Sequence, residues 1–360
     1  MTIQPRPGIL EVAPYVGGES KAAGMNRVIR LASNENPLGP SPQAVAAYEA
    51  EKTGLHRYPD GGASELRKAI AEAESLAAEN IVCGAGSDEL IGLLVRAYAG
   101  QGDEVLYSEH GFLMYPISAK TAGATAVAAP EANLTADVDG LLARVTERTR
   151  LLFLANPNNP TGSYLSESAL RRLHQGLPGH VLLVVDAAYA EYVMAPDYPQ
   201  VAALVEANDN VVMLRTFSKI HGLAALRLGW AYCPPAVVDV LNRVRGPFNV
   251  SQAAQAAGVA AVRDRDHVVR SVTHNARWLD WFSAAMAKAG IEALPSAGNF
   301  VLLRFAGGSA QAEAVLAAAK RQGILLRGMA GYGLPDCLRV TIGSEEDMRA
   351  TAEALTEAVQ

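Results

Sequence analysis

From about residue 80 onward, short apolar runs alternate with stretches of helical length. The runs occupy 80–83, 104–107, 125–128, 150–154, 181–185, 211–214 and 229–233, and apolar residues within each are nearly continuous rather than alternating. A strand covered on both faces reads this way, because neither side of its pleat meets water. Such strands, separated by helices, predict a doubly wound α/β core built on a mostly parallel sheet. Past residue 250 the pattern turns helical over 251–262 and 266–289. A smaller α+β portion is expected beyond it, with strands at 299–305 and 337–342 and helices at 310–322 and 345–359. Ser344, followed by Glu345 and Asp347, marks the start of the last helix. Upstream, Ser41 before Pro42 reads as an N-cap with proline at the first helical position, and a second helix follows Ser64. The first thirty residues are rich in Pro and Gly and read as an arm. The predicted organisation is a large domain of residues 31–264 and a small domain assembled from 1–30 and 265–360.

Composition narrows the class. A chain of 360 residues suggests about two domains. Half the residues are hydrophobic and 19% are charged, which excludes disorder as the overall state. With 31 Lys and Arg against 37 Asp and Glu, the net charge of −6 argues against a nucleic-acid protein, where a basic footprint is expected. Cys83, Cys233 and Cys337 are far apart and form no C-x-x-C pair, so core thiols are expected rather than a disulfide framework or a zinc knuckle. No metal site is expected, since the histidines lack ligand spacing, and His221 reads as packing. With no secretory signal and no run long enough to span a bilayer, the sequence reads as a soluble cytoplasmic protein.

Four motifs carry chemistry. Residues 84–89 (GAGSDE) follow a predicted strand and open a helix. They fail as a dinucleotide fingerprint, because Glu89 stands at the third glycine and Glu104 precedes its strand instead of closing it. What remains is a small-residue turn whose free backbone N–H groups can hold an anion. Residues 156–162 (NPNNPTG) follow the strand ending at Leu154, at the sheet edge where open α/β folds bind ligands. Asp186 ends an apolar strand and is followed by Tyr189; it is either a helix cap or a carboxylate that awaits a cationic group. Residues 216–222 (TFSKIHG) bring Thr216, Ser218 and Lys219 together after another strand, with Arg227 eight residues past the lysine. In apolar surroundings desolvation lowers a lysine's pKa, and a neutral amine can form a Schiff base with a carbonyl. The hydroxyls and Arg227 suit a phosphate.

These motifs, in this order and each at the C-terminal end of a predicted strand, resemble the fold-type-I aminotransferases that use pyridoxal phosphate. Residues 31–40 (LASNENPLGP), 57–59 (RYP) and 86–89 (GSDE) are similar to the histidinol-phosphate aminotransferases within that family. The resemblance runs from about Pro14 to Ile342. It implies a pyridoxal-phosphate-dependent transferase fold, with a large, mostly parallel sheet domain flanked by helices and a smaller α+β domain.

By the same resemblance, Lys219 matches the lysine that binds the cofactor covalently and moves the substrate's proton. Asp186 matches the carboxylate that keeps the pyridine nitrogen protonated, and Asn159 and Tyr189 match donors to the ring's phenolic oxygen. Phe112 takes the place of the aromatic that stacks on the ring; His110 and Gly111 precede it where the family often has Pro-Thr. Ser87, Asp88, Thr216, Ser218 and Arg227 match the phosphate cradle. Tyr58 matches a tyrosine that reaches the cofactor phosphate of the neighbouring subunit, which implies a homodimer with a shared site. Tyr15, Asn34, Arg327 and Arg339 match the substrate end. The implied reaction is transamination between L-histidinol phosphate and 2-oxoglutarate. An aromatic amino acid aminotransferase and a threonine-phosphate decarboxylase are the alternatives on the same fold. A cofactor-binding transcription regulator would need an N-terminal DNA-binding domain, for which the short arm leaves no room.

Overall fold

Seven strands form the large sheet, and the order in which they pair brings the four motifs together. The computed structural model describes residues 3–6, 8–14, 17–19 and 27–360. The strands are β1 (Ile81–Gly84), β2 (Glu104–Ser108), β3 (Thr125–Ala129), β4 (Thr149–Ala155), β5 (Leu182–Asp186), β6 (Val211–Thr216) and β7 (Gly229–Tyr232). They lie in the order β1-β7-β6-β5-β4-β2-β3. The pairs β6–β5, β5–β4, β4–β2 and β2–β3 are parallel, whereas β7 runs antiparallel to both β6 and β1. The run at 229–233 is as apolar as its neighbours, so burial reveals the strand but not its direction.

The continuity of the apolar runs has a direct cause. Alternate residues of each strand feed hydrophobic clusters on opposite faces. In β5, Leu183 and Val185 join a cluster with Leu66 and Ile70 of the helix Ser64–Glu74 and with Ala257 and Ala261 of the helix Gln252–Arg263. Leu182 and Val184 join the other cluster, with Leu90 and Leu94 of the helix Ser87–Tyr98 and with Tyr115 of the helix Met114–Ala122.

A four-stranded antiparallel sheet follows, in the order β8 (Glu292–Ala293), β9 (Phe300–Arg304), β11 (Cys337–Thr341) and β10 (Arg327–Gly328). The helices Arg265–Lys288, Gly308–Arg321 and Glu345–Val359 cover it, around a third cluster that includes Trp278, Phe282 and Val340. Leu31 belongs to this cluster, and Ile29–Arg30 pairs in parallel with Ile324–Leu325. The N-terminal segment is thus held by the C-terminal part of the chain.

Local capping sets the element ends. Ser41 accepts from the Ala44 amide at 3.1 Å, and Ser344 and Asp347 form a reciprocal capping box. The long helix begins at Arg265, one residue before the start its apolar pattern predicts, because Asp264 caps it by accepting from the His267 amide at 3.0 Å. All three cysteines are buried and unpaired. Among the described residues, no helix is long and apolar enough to cross a membrane.

Candidate active site

The C-terminal ends of β1, β4, β5 and β6 open onto one cavity of about 310 Å³, which the segment 32–35 and residues of the antiparallel sheet close from above. Asp186 is the last residue of β5 and is 5% exposed. It accepts a hydrogen bond from the Tyr115 hydroxyl on Oδ2 at 2.8 Å, while its buried Oδ1 has no partner. Burial pushes its carboxyl up to about 6, partly offset by that hydroxyl. Lys219 stands three residues beyond the end of β6, with its Nζ 3.2 Å from the Ser33 carbonyl and 5.8 Å from the centre of the Tyr189 ring. Desolvation, reinforced by the positive charge of Arg339, pushes its amine down to about 8. The base and the acid of the cavity are thus shifted in opposite directions by the same cause, loss of water.

One end of the cavity is an anion cradle. Ser87 and Asp88 begin the helix after β1, where amide groups have no helical acceptor. Arg227 donates to Ser218 Oγ at 3.4 Å and to Asp88 Oδ2 at 3.1 Å, and Thr216 Oγ1 accepts from the Ser218 amide at 3.1 Å. Gly86 makes this close approach possible. Its φ is +86°, and a Cβ there would lie 2.5 Å from Arg227 Nη2.

At the other end, Arg339 on β11 is 6% exposed and donates to Asn159 Oδ1 at 2.5 Å and to the Ala32 carbonyl at 2.7 Å. The first bond turns the Asn159 amide so that its N–H groups are the free donors. Asn34 donates to the Tyr189 hydroxyl at 2.9 Å, and burial pushes that phenol well up from its usual value. Arg327 lines the same end and donates to the Gly17 carbonyl at 2.7 Å. Gly222 locks the segment 32–40 to the lysine loop: its φ is +67°, and a Cβ there would lie 2.3 Å from the Gly39 carbonyl oxygen.

The site residues expected from the sequence therefore gather in one cavity, with two exceptions. Tyr58 lies outside it, 83% exposed, with its ring stacked on Phe248 at 4.7 Å. Tyr15 lies outside the described residues. Phe112 lines the cavity, and the loop before it is anchored where its sequence departs from the family pattern: Glu131 pairs with His110 Nδ1 at 2.9 Å and accepts from Ser108 Oγ at 2.5 Å. That pairing holds the His110 ring above its usual pKa. His221 is buried against Phe217, with burial pushing its imidazole down to about 3.

Sequence reasoning missed Tyr115, Tyr332 and Asn299. Tyr115 had one usable signal, its place a helical turn after Phe112. Tyr332 lines the cavity from the loop between β10 and β11, and Asn299 donates to the Asn34 carbonyl at 3.0 Å. Neither has a local signature.

The donor set suits pyridoxal phosphate: an unpartnered carboxylate oxygen for a ring N–H, an amine of lowered pKa for an aldehyde, and a cradle for a phosphate. Comparison with known proteins agrees. A family model described as aminotransferase class I and II matches residues 26–355. The histidinol-phosphate aminotransferase of Rhodospirillum centenum is 59% identical over 98% of this chain and 97% of its own length. That of Paramagnetospirillum magneticum is 56% identical over 99% and 98%. Among solved structures, the histidinol-phosphate aminotransferase of Sinorhizobium meliloti, in complex with pyridoxal-5′-phosphate, superposes with a TM-score of 0.91 at 29% identity, covering 100% of this chain and 98% of that one.

Proposed function

The chain belongs to the histidinol-phosphate aminotransferases of the class I and II aminotransferase family, and from that premise we propose that it exchanges an amino group between L-histidinol phosphate and 2-oxoglutarate, giving imidazole-acetol phosphate and glutamate in histidine biosynthesis. The enzyme is an aminotransferase and its cofactor is pyridoxal 5′-phosphate. The observation that carries the reading is the pairing of Lys219, with its lowered amine, and the unpartnered Oδ1 of Asp186 in one cavity that ends in an anion cradle.

Each residue's part follows from its surroundings. Ser87, Thr216, Ser218 and Arg227 would hold the cofactor phosphate, with Asp88 fixing the guanidinium. Phe112 would cover a ring face. Asn159 and Tyr189 would donate to the ring oxygen, and Asp186 Oδ1 would hold the proton on the ring nitrogen. When bound, the cofactor supplies an aldehyde for the amino group and a ring that takes up the electrons of the substrate's Cα–H bond. Lys219 Nζ, whose lowered pKa of about 8 leaves a usable neutral fraction at physiological pH, would hold the cofactor covalently and would move the proton from the substrate's α carbon to the cofactor. Arg339 and Arg327 offer guanidinium groups to the acidic end of the substrate, with Asn34 beside them and Tyr15 assigned to the same end by resemblance. Two guanidinium groups can serve a phosphate in one half-reaction and a carboxylate in the other.

The proposal extends to a cytoplasmic homodimer. Its support is the Tyr58–Phe248 stack, an exposed aromatic pair outside the protomer's own cavity, as a residue reaching a neighbouring subunit's site would be. The proposed division into a large domain of 31–264 and a small domain of 1–30 and 265–360 is supported by the separate hydrophobic cluster around the antiparallel sheet. The test of the substrate is a half-reaction panel, which presents histidinol phosphate, phenylalanine, tyrosine and threonine phosphate to the loaded enzyme. Fastest discharge by histidinol phosphate is expected; preference for phenylalanine would overturn the assignment.

A further inference from the structure

We propose that Tyr115 is a positioning residue of this site: its hydroxyl holds Oδ2 of Asp186, so that Oδ1 is the oxygen presented to the ring nitrogen of the cofactor. The proposal rests on the reading of Asp186 given above.

A carboxylate turns easily about its Cβ–Cγ bond, because an sp³–sp² torsion has broad wells. A buried Asp186 held by the Ala188 backbone amide alone would be less firmly fixed in which oxygen it presents to the cavity. Tyr115 adds the side-chain donor that fixes one oxygen. Its side chain is fully buried and stacks on Phe153 of β4 at 4.7 Å and 11°. It meets Phe112 edge-on at 5.9 Å, and its amide donates to the Phe112 carbonyl at 3.0 Å. One helical turn therefore delivers both the aromatic that lines the cavity and the hydroxyl that fixes the carboxylate. The hydroxyl sits 2.8 Å from Oδ2, and Oδ1 is left buried with no partner. The ionisable groups around the pair are Asp88 and Lys219, with the phenols of Tyr189, Tyr198 and Tyr332. Two hydrogen bonds favour the Asp186 anion: that of the Tyr115 hydroxyl, the larger and the one made by a side chain, and that of the Ala188 backbone amide.

Tyr115→Phe keeps the ring and its stack and deletes only the hydroxyl, leaving Oδ2 buried without that donor. The ionised carboxylate is then disfavoured, and a protonated Asp186 cannot hold a protonated ring nitrogen. The experiment measures the dissociation constant of pyridoxal phosphate for the cofactor-free protein between pH 5.5 and 8.5, alongside kcat and KM. For Tyr115→Phe, the expected result is binding weakened about tenfold at the acid end and less at the alkaline end, with kcat lowered and KM unchanged. Phe153→Leu disturbs the same stack but keeps the hydroxyl. It should lower the melting temperature without moving the pH dependence. An equal shift in both variants would reduce Tyr115 to packing and overturn the proposal. Wild-type cofactor affinity and pH dependence in Tyr115→Phe, with affinity lost in Asp186→Asn, would overturn the proposal alone. Wild-type affinity in Asp186→Asn would overturn the Asp186 reading and the proposal with it.

Discussion

Lys219 and Asp186 each carry a shift that costs the fold something and serves the reaction. For Asp186 the carboxyl is raised to about 6, so the cost is absent below the ordinary carboxylate value and present in full above pH 6. Removing the charge should therefore stabilise the cofactor-free protein at pH 8, by about 1–3 kcal/mol, and leave it unchanged near pH 4. Thermal melts of Asp186→Asn and wild type at the two pH values check this, and the same variant should lose most of its turnover. For Lys219, lowered to about 8, the neutral form grows as pH rises. The rate of cofactor capture by the cofactor-free enzyme should climb with pH below 8 and level off above it, as stopped-flow absorbance would report. Lys219→Ala should abolish transamination. Both residues were legible in the sequence, because each follows an apolar run that ends where ligands bind. Tyr115 was legible only by its place a helical turn after Phe112; its bond to Asp186 spans 71 positions and has no local signal.

The elements were legible where burial wrote them. All seven large-sheet strands lie where the apolar runs stand, within a residue or two at most of their ends, because helices cover the sheet and most positions inside are apolar; Arg215, paired with Glu191, is an exception. Direction was not written, and β7 is antiparallel although it reads like its parallel neighbours. Nor was the short hairpin of Glu131–Ala132 with Thr135–Ala136, too brief to show a period, whose Glu131 anchors the loop ahead of Phe112. The turn after β1 is where an element boundary and the chemistry coincide. Gly86→Ala would combine a left-handed backbone with a clash on Arg227. Its expected effect is a cofactor dissociation constant raised tenfold or more, about 1.4 kcal/mol or above, with the fold retained by circular dichroism.

For the whole molecule, a net charge of −6 coexists with a site for an anionic cofactor and anionic substrates, because Lys219, Arg227, Arg327 and Arg339 concentrate positive charge on one cavity. The proposed homodimer makes a quantitative prediction. If Tyr58 serves the neighbouring site, Tyr58→Ala and Lys219→Ala protomers mixed in equal amounts should regain about a quarter of wild-type activity, since half the dimers are hybrids and each hybrid holds one intact site. Activity that merely averages the two parents would exclude a shared site. Tyr58 stood out in the sequence only by resemblance, because an exposed aromatic has no pattern of its own.

The most direct test of the function is the single-turnover discharge of the loaded enzyme, followed through the cofactor's visible absorbance. L-Histidinol phosphate should discharge it faster than phenylalanine, tyrosine or threonine phosphate at equal concentration, and 2-oxoglutarate should restore the band. Faster discharge by phenylalanine, or no discharge by histidinol phosphate, would contradict the account.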